Sequence, residues 1–557
     1  MAVMTMPDTQ VLTPQASASD RRQDSSHGSG ARLHERQIAA PILQEKHVAT
    51  TSRLEIWSWY AYYVGANGIG PFNFAPTAFQ NLLAQAAALY GPDANSLPFA
   101  GRVRDVNSIV LFCNGVAFAI QTGLFLVIGA YADFGTGRRW LLLGTSVLAY
   151  AVGFAWVGVH DVSRWRVAAA LYMAGSVTYQ LATAYWIAAF PALARNTRQL
   201  KEARAEHGRG AIGAEELARR DELERSRLSN VAFWAQSAVE IALLAVIVGV
   251  MRGVQGGAGD DNNWALSVLI AFATGFWLIL SVPWFFIEKT RPGLAVPPGK
   301  TMLTVGAWQL REAFTQMWRL KQSLIFLAGY FLLGDALNTT VTLVGTLQNE
   351  IVNYDSLQLT YLLIVNIAAQ TVGIGSFWLI QKRYNLRPKT MFAAIMVGVI
   401  LLDAWGMVGN WTTRFGGFQT VAEIWAYQVF YGLFVCPWYS YAQIMISSVT
   451  PRGYEYLFFS LFSVVGKASS LTGPLISSAI IDASPDRGPR GKRAPFYFLF
   501  ALSLVSALGL FFFLDLDKSA REQNEFLAEK AARVYGVLDG QDEQVDGVNK
   551  GLRRAIA

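Results

Sequence analysis

Long apolar runs separated by short polar gaps make up most of the chain. A membrane-spanning helix needs about 20 predominantly apolar residues. Twelve runs approach that length, at 56–77, 106–131, 140–159, 166–190, 230–251, 264–287, 323–347, 358–380, 390–409, 421–447, 457–481 and 494–514. The pattern predicts an all-α polytopic membrane protein. Its two longest interior polar breaks follow residues 191 and 288, and the second splits the runs six and six. That layout predicts two six-helix bundles, 56–287 and 323–514, with a substrate path between them. A disordered cytoplasmic tail over 1–55, a charged loop at 191–229, a central loop at 288–322 and a C-terminal tail at 515–557 complete the division. No convincing sequence repeat relates the halves.

Composition agrees. Of 557 residues, 53% are hydrophobic and only 15% charged, against roughly 25% charged in soluble domains. The net charge of +7 does not point to nucleic acid, because the basic residues lie in loops beside apolar runs. With both termini placed in the cytoplasm, the inner loops carry about 22 Lys and Arg and the outer loops about 10, which obeys the positive-inside rule. The basic loop Arg487–Arg493 is the exception. Residues 1–50 contain no apolar h-region, so the first span is expected to direct insertion itself. Cys113 and Cys436 sit inside apolar runs and read as packing residues. His27, His34, His47, His160 and His207 all avoid the interior of the spans. No nucleophile–base arrangement, metal motif or phosphate-binding G-x-x-x-x-G-K-[ST] string appears, so neither an enzyme nor a metal or organic cofactor is expected. The stretch at 191–229 reads as a solvated helical segment, and a regulatory or partner-binding role is its alternative. Asn410-Trp411-Thr412 is a candidate glycosylation sequon in an outer loop.

Polar side chains inside spans are costly in lipid and usually face the bundle interior. Asp335, Asn338, Thr339, Thr342 and Thr346 repeat at helical spacing and predict one polar stripe. Ser463, Lys467 and Ser470 share a face, as do Asn366 with Gln370 and Gln236 with Glu240. The first span offers Tyr63, Asn67 and a kink-prone Gly70-Pro71, the fourth Tyr179, Gln180 and Thr183, and the tenth Gln428, Tyr431, Tyr439 and Gln443. Asp403 in the ninth span fits no stripe. Lys467 needs an anion, a carbonyl or water. It pairs structurally with Asp335, or it receives a substrate carboxylate or takes part in proton coupling with Asp335 or Glu240. An amino-acid zwitterion would suit a site with one cation and one anion.

The gap at 129–139 reads GAYADFGTGRR. Its glycines permit a tight reversal, and its arginines can anchor at phosphate level. It resembles the signature loop of the major facilitator superfamily, G-x-x-A-D-x-x-G-R-R, with one extra residue in the spacing. That resemblance implies gating roles for Asp133, Arg138 and Arg139. It also implies a cavity lined by spans one, four, seven and ten and supported by two, five, eight and eleven, and most of the polar faces fall on those spans. The strings LEIWSWY at 54–60, LERSRLSNVAFWAQ at 223–236 and TPRGYEYLFFSLFSVVGKASSLTGPL at 450–475 are more specific. Together they resemble the fungal autophagy-related vacuolar amino-acid effluxers over roughly residues 50–520.

This resemblance implies a multi-pass vacuolar membrane protein that releases amino acids such as leucine to the cytosol, with importance for Lys467, Ser469 and Ser470. The expected partners are a small-molecule substrate, protons and the bilayer. The substrate-binding or coupling candidates are Lys467, Asp335, Asn338, Glu240, Ser470, Gln370 and Asn67. Two alternatives stand beside this reading: an exporter of another small molecule, such as a secondary metabolite, at the plasma membrane, and a non-transporting membrane sensor.

Overall fold

The computed structural model describes residues 49–539, apart from 69, 93–95, 259–261, 292, 295, 297–298, 352–355, 413–414 and 485–490. The predicted tail up to residue 48, the last residues from 540 and the start of the basic loop at 487–493 lie outside the described residues. Residues 49–523 form one compact unit, and residues 524–539, outside it, continue a helix.

Among the described residues of unit 49–523, the named elements are helices and one hairpin. Helix α1 (Arg53–Tyr63) opens on Ser52, whose hydroxyl accepts from Glu55 N at 3.1 Å, an ordinary N-cap. It passes into a π-helical turn at Val64–Gly68 and resumes as α2 (Pro71–Tyr90). Proline at the first position of α2 suits a helix start, because it has no N–H to leave unsatisfied. A hairpin of β1 (Ser96–Phe99) and β2 (Arg102–Asp105), turned by Ala100 and Gly101 at positive φ, leads to α3 (Val106–Ala132). Then come α4 (Arg138–Ala155), α5 (Trp165–Ala188), α6 (Phe190–Arg195), α7 (Arg198–Gly208), α8 (Ala214–Ala258) and α9 (Asn262–Ile287). The second half holds α10 (Met302–Gln316), α11 (Lys321–Ile351), α12 (Ser356–Tyr384) and α13 (Pro388–Val408). It continues through α14 (Val421–Phe430), a second π turn at Tyr431–Val435, α15 (Trp438–Val449), α16 (Glu455–Ala483), α17 (Pro495–Phe513) and α18 (Leu516–Asp539).

Among the described residues, nine helical segments are long and apolar enough to cross a membrane. The other three predicted spans, α1–α2, α5 and α8, are helical too. The first span runs to Tyr90 rather than ending at 77. Asn and Gln dilute the hydropathy of 78–90, but its helix still buries Phe79, Leu82, Leu83 and Ala86. Helix α8 has 45 residues, about 68 Å at 1.5 Å per residue, against a hydrocarbon core of about 30 Å. Its polar first turns therefore project beyond the bilayer, laced by Arg220–Glu216 (2.9 Å), Arg225–Asp221 (2.9 Å) and, to α7, Arg220–Glu206 (2.8 Å).

The chain at the two outer boundaries is built into the fold. The tail expected over 1–55 is ordered from residue 49: Thr51 N donates to Asn196 O (2.9 Å) and Thr51 Oγ1 to Leu193 O (3.0 Å). Glu55 is wholly buried, because Arg291 pairs with it bidentately at 2.7 and 3.0 Å. The tail expected from 515 begins as a docked helix. Asp515 N donates to Gln322 Oε1 (2.8 Å), and Gln322 N donates to Glu522 Oε2 (2.9 Å).

The halves meet where α3 and α5 pack on α16, and where α8 packs on α12 and α15. Gly129 permits the first approach, since a Cβ there would lie 2.6 Å from Ser460 Oγ on α16. Along α8, Ser229 Oγ donates to Ser440 O (3.0 Å), Ser440 Oγ to Asn230 Oδ1 (2.8 Å) and Gln381 Nε2 to Ser226 Oγ (3.1 Å).

Candidate gate and central chamber

The signature loop begins where α3 ends. Asp133 is completely buried, and its carboxylate accepts three hydrogen bonds from the second half. Tyr456 N donates to Oδ1 at 2.9 Å, Leu457 N to Oδ2 at 3.1 Å and Gln309 Nε2 to Oδ2 at 3.1 Å. Tyr456 and Leu457 lie in the first turn of α16, whose leading N–H groups have no partner within the helix. Asp133 therefore caps α16 from across the interface, with its carboxyl oxygens at the positive end of the helix dipole.

The loop is clipped by the connection between the halves. Leu294 N donates to Asp133 O (2.8 Å), Gly293 N to Gly135 O (2.7 Å) and Gly135 N to Leu294 O (3.1 Å). Gly135 sits at φ +64°, which lets the loop reverse. Arg138 donates to Ala132 O (3.1 Å) and Asp133 O (3.2 Å) and lies over the Tyr456 ring at 5.0 Å. Arg139 stays within the first half, donating to Phe285 O.

Sequence reasoning missed the second latch. Arg195 at the end of α6 pairs with Glu455 at the start of α16, and both are largely buried. Glu455 sits in the string YEYLFFS, where a lone acid opening an apolar run was the available signal. Glu455→Ala removes the anion that Arg195 meets across the interface, and breaking a buried pair costs about 3–5 kcal/mol. We expect that variant to expose engineered cysteines on the Asp133 face to a water-soluble maleimide. The exchanged pair Arg195→Glu/Glu455→Arg should restore most of the protection.

Burial pushes the Asp133 carboxyl up to about 8, against the lowering influence of Arg138 and the Tyr456 and Leu457 N–H groups; Glu455 reinforces the rise. Glu288, beside Arg291, Arg139, Glu55 and Arg138, is raised to about 7, also chiefly by burial. In an open gate both acids would be hydrated and titrate near their ordinary values. The closed form thus binds more protons, so it is favoured at low pH and loses that advantage as pH rises through about 7 to 8. Maleimide labelling on this face should increase between pH 6 and pH 9, and Asp133→Asn should flatten the profile.

Deeper between the halves lies a cluster of polar side chains among aromatic rings. In the first half, Trp59, Trp186 and Tyr63 stack with ring centroids 4.3 Å apart in each neighbouring pair. Asn67 Nδ2 donates to Tyr63 OH (3.2 Å), and Tyr179 OH donates to Asn67 Oδ1 (3.2 Å). Gln236 Nε2 donates to Glu240 Oε2 (2.5 Å). One residue past Gln236, Ser237 Oγ accepts from Gln370 Nε2 of the second half (2.6 Å). Glu240 lies within electrostatic range of Tyr63, Tyr179 and Cys436. Tyr431 and Tyr439 face each other at 3.3 Å, and Tyr330 stacks on Trp438. Asn67, Glu240 and Gln370 thus share one region.

Asp335 and Lys467 do not pair. Asp335 is buried against α16, where its Oδ1 accepts from Gly473 N at 2.7 Å beside Pro474. A Cβ at Gly473 would lie 2.0 Å from Thr339 Oγ1, so only glycine allows this approach. Lys467 is exposed six residues earlier, about 9 Å along the helix, and no anion faces it among the described residues. The expected single stripe is divided accordingly: Asp335 and Thr339 are buried, whereas Thr342 and Thr346 are exposed. Asn338 O accepts from Thr342 Oγ1 (2.9 Å), and Lys467 O accepts from Ser470 Oγ (2.7 Å). Asp403 joins α13 to α11, accepting from Thr340 Oγ1 at 2.5 Å. Asn410 Nδ2, the atom a glycan would occupy, donates to Met407 O and Arg493 O, each at 3.1 Å. Asp335→Asn keeps an acceptor for Gly473 N and should transport nearly as well as the parent. Asp335→Ala strands that buried donor, costing about 1–3 kcal/mol, and should lower the thermal midpoint. A thermal melt beside a flux assay separates these outcomes.

Residues 51–524 match the family described as "Vacuole effluxer Atg22 like". The chain belongs to that family. It is similar to Autophagy-related protein 22 of Pyricularia oryzae, with 24% identity across 89% of this chain and 80% of the relative. The protein of that name from Gibberella zeae is 22% identical across 96% and 90%. Its fold is that of the major facilitator superfamily. The proton:xylose symporter XylE bound to 6-bromo-6-deoxy-D-glucose superposes with a TM-score of 0.56 at 11% identity, over 83% of this chain and 95% of XylE. FucP in the outward conformation gives 0.53 at 11% identity, over 82% and 97%. Family and fold are those of a membrane transporter.

Proposed function

We propose that this protein releases amino acids from the vacuole lumen to the cytosol by alternating access. The observation that carries the reading is Glu240, a carboxylate held by Gln236 among aromatic side chains between two halves that are latched at the Asp133 face. A zwitterionic amino acid carries an ammonium for which Glu240 is a partner, and a carboxylate for which the exposed Lys467 ammonium is one. Its side chain would lie against Tyr63, Tyr179 and Tyr439. Breaking the Asp133 and Arg195 latches would open the chamber to the face that the positive-inside rule assigns to the cytosol. The family description and the names of the relatives support the vacuolar and autophagic setting. Protons are the proposed coupling ion.

The test is efflux of a panel of labelled amino acids from vesicles containing the purified full chain, with and without a pH gradient. Efflux of neutral amino acids that responds to the gradient is expected. Failure to move any amino acid would overturn the reading. A fluorescently tagged chain should mark the vacuole membrane in starved cells, and a signal confined to the cell surface would refute that location.

A further inference from the structure

A cavity on the Asp133 face is walled by Arg138 and Arg139 of the signature loop, by Lys289 and Arg291 beyond α9, and by Trp284, Glu288 and Tyr456. Four cations converge there. Arg291 spends its forked end on Glu55, but its Nε is buried without a partner. The indole N–H of Trp284, a donor only, is also without an acceptor, and Trp284 is wholly buried. Arg138, Arg139 and Lys289 donate to backbone carbonyls, and Glu288 is the acid that shares the cavity wall with them. The acid lining the cavity, Glu288, has one oxygen unpartnered. Unsatisfied donors and surplus positive charge in one cavity call for an anion with several acceptor oxygens. A phosphate monoester provides three, and arginine recognises that geometry well. The flanking residues place the mouth at the membrane surface: Trp140, next to Arg139, is 69% exposed, and Phe286, two residues before Glu288, is 82% exposed. Aromatic residues of this kind populate the headgroup region, where basic pockets between helices take anionic headgroups.

We propose that this cavity is a regulatory site for a phosphate monoester, free or on a lipid headgroup, whose binding holds the gate closed. The coupling follows from the walls. Tyr456 belongs to the α16 turn that Asp133 caps, and the other walls belong to the first half or the connection. The cavity is complete only while the halves are latched, so an occupant favours the latched state and slows flux. This does not depend on what the central chamber carries.

The test uses the purified full chain in detergent and three probes: a short-chain phosphatidylinositol monophosphate, its deacylated headgroup and inorganic phosphate. Binding is read from the rise in thermal midpoint as each is titrated. Arg139→Gln and Lys289→Gln should each weaken binding about tenfold, as expected for loss of one charge-assisted hydrogen bond. Glu288→Gln should tighten it about threefold by removing the opposing charge, a gain that damage to the fold would not produce. Binding of the acylated probe alone identifies a lipid as the ligand, whereas equal binding of all three identifies free phosphate. The proposal is overturned if no probe raises the midpoint, if Arg139→Gln and Lys289→Gln leave the shift unchanged, or if Glu288→Gln binds more weakly.

Discussion

Asp133→Ala is expected to abolish net transport while leaving the protein in its membrane. The substitution removes the acceptor for Tyr456 N, Leu457 N and Gln309 Nε2 together. Each buried donor left unpaired costs about 1–3 kcal/mol, so the latched state loses several kcal/mol relative to an open one in which water reaches all three. A transporter that must alternate between two states of similar free energy cannot cycle with such a bias. Cysteines placed on the Asp133 face should become reactive to a water-soluble maleimide, and gradient-driven flux should fall at least tenfold. The first half keeps its own contacts, because Arg139 still reaches Phe285 O and the Glu55–Arg291 clamp is untouched. Unchanged labelling together with unchanged flux would remove Asp133 from the gate.

What the sequence revealed of this arrangement follows the range of each physical signal. Spans such as Asn262–Ile287 and Pro388–Val408 were legible because burial in lipid imposes about 20 apolar residues in a row. Hydropathy marks a bilayer crossing and not the end of a helix, so it gave no sign that α8 starts sixteen residues before its apolar run at 230. The loop around Asp133 was recognisable from its acid, glycines and arginines. Its partners were not, since two of the three are backbone N–H groups more than 300 residues away that every non-proline residue carries. Charge complementarity suggested joining Asp335 to Lys467, but a chain of letters holds no register between helices. Pro474 sits at the point of contact, and Asp335 is spent on the N–H of the preceding glycine. Asp403, which fitted no stripe, is explained by Thr340, a neighbour visible only once α11 and α13 are packed.

Glu240→Gln is expected to have an effect comparable in size to Asp133→Ala but of a different kind. The amide preserves the shape and can still accept from Gln236, so the interface that Ser237 makes with Gln370 should persist. Only the charge is lost. If Glu240 holds the substrate ammonium, one charge-assisted hydrogen bond worth about 1.5–3 kcal/mol disappears, and the KM for amino acids should rise at least tenfold. If it carries the coupling proton, substrate exchange at equal pH should survive, while the response to a pH gradient vanishes. Lys467→Ala provides the counterpart: it should weaken binding of amino acids more than that of the corresponding amines, because only the former present a carboxylate. A Glu240→Gln protein with parental KM and parental gradient dependence would exclude this carboxylate from both roles. The gate would then have to be read apart from any zwitterion site in the chamber, since the Asp133 and Arg195 latches act on the halves whatever lies between them.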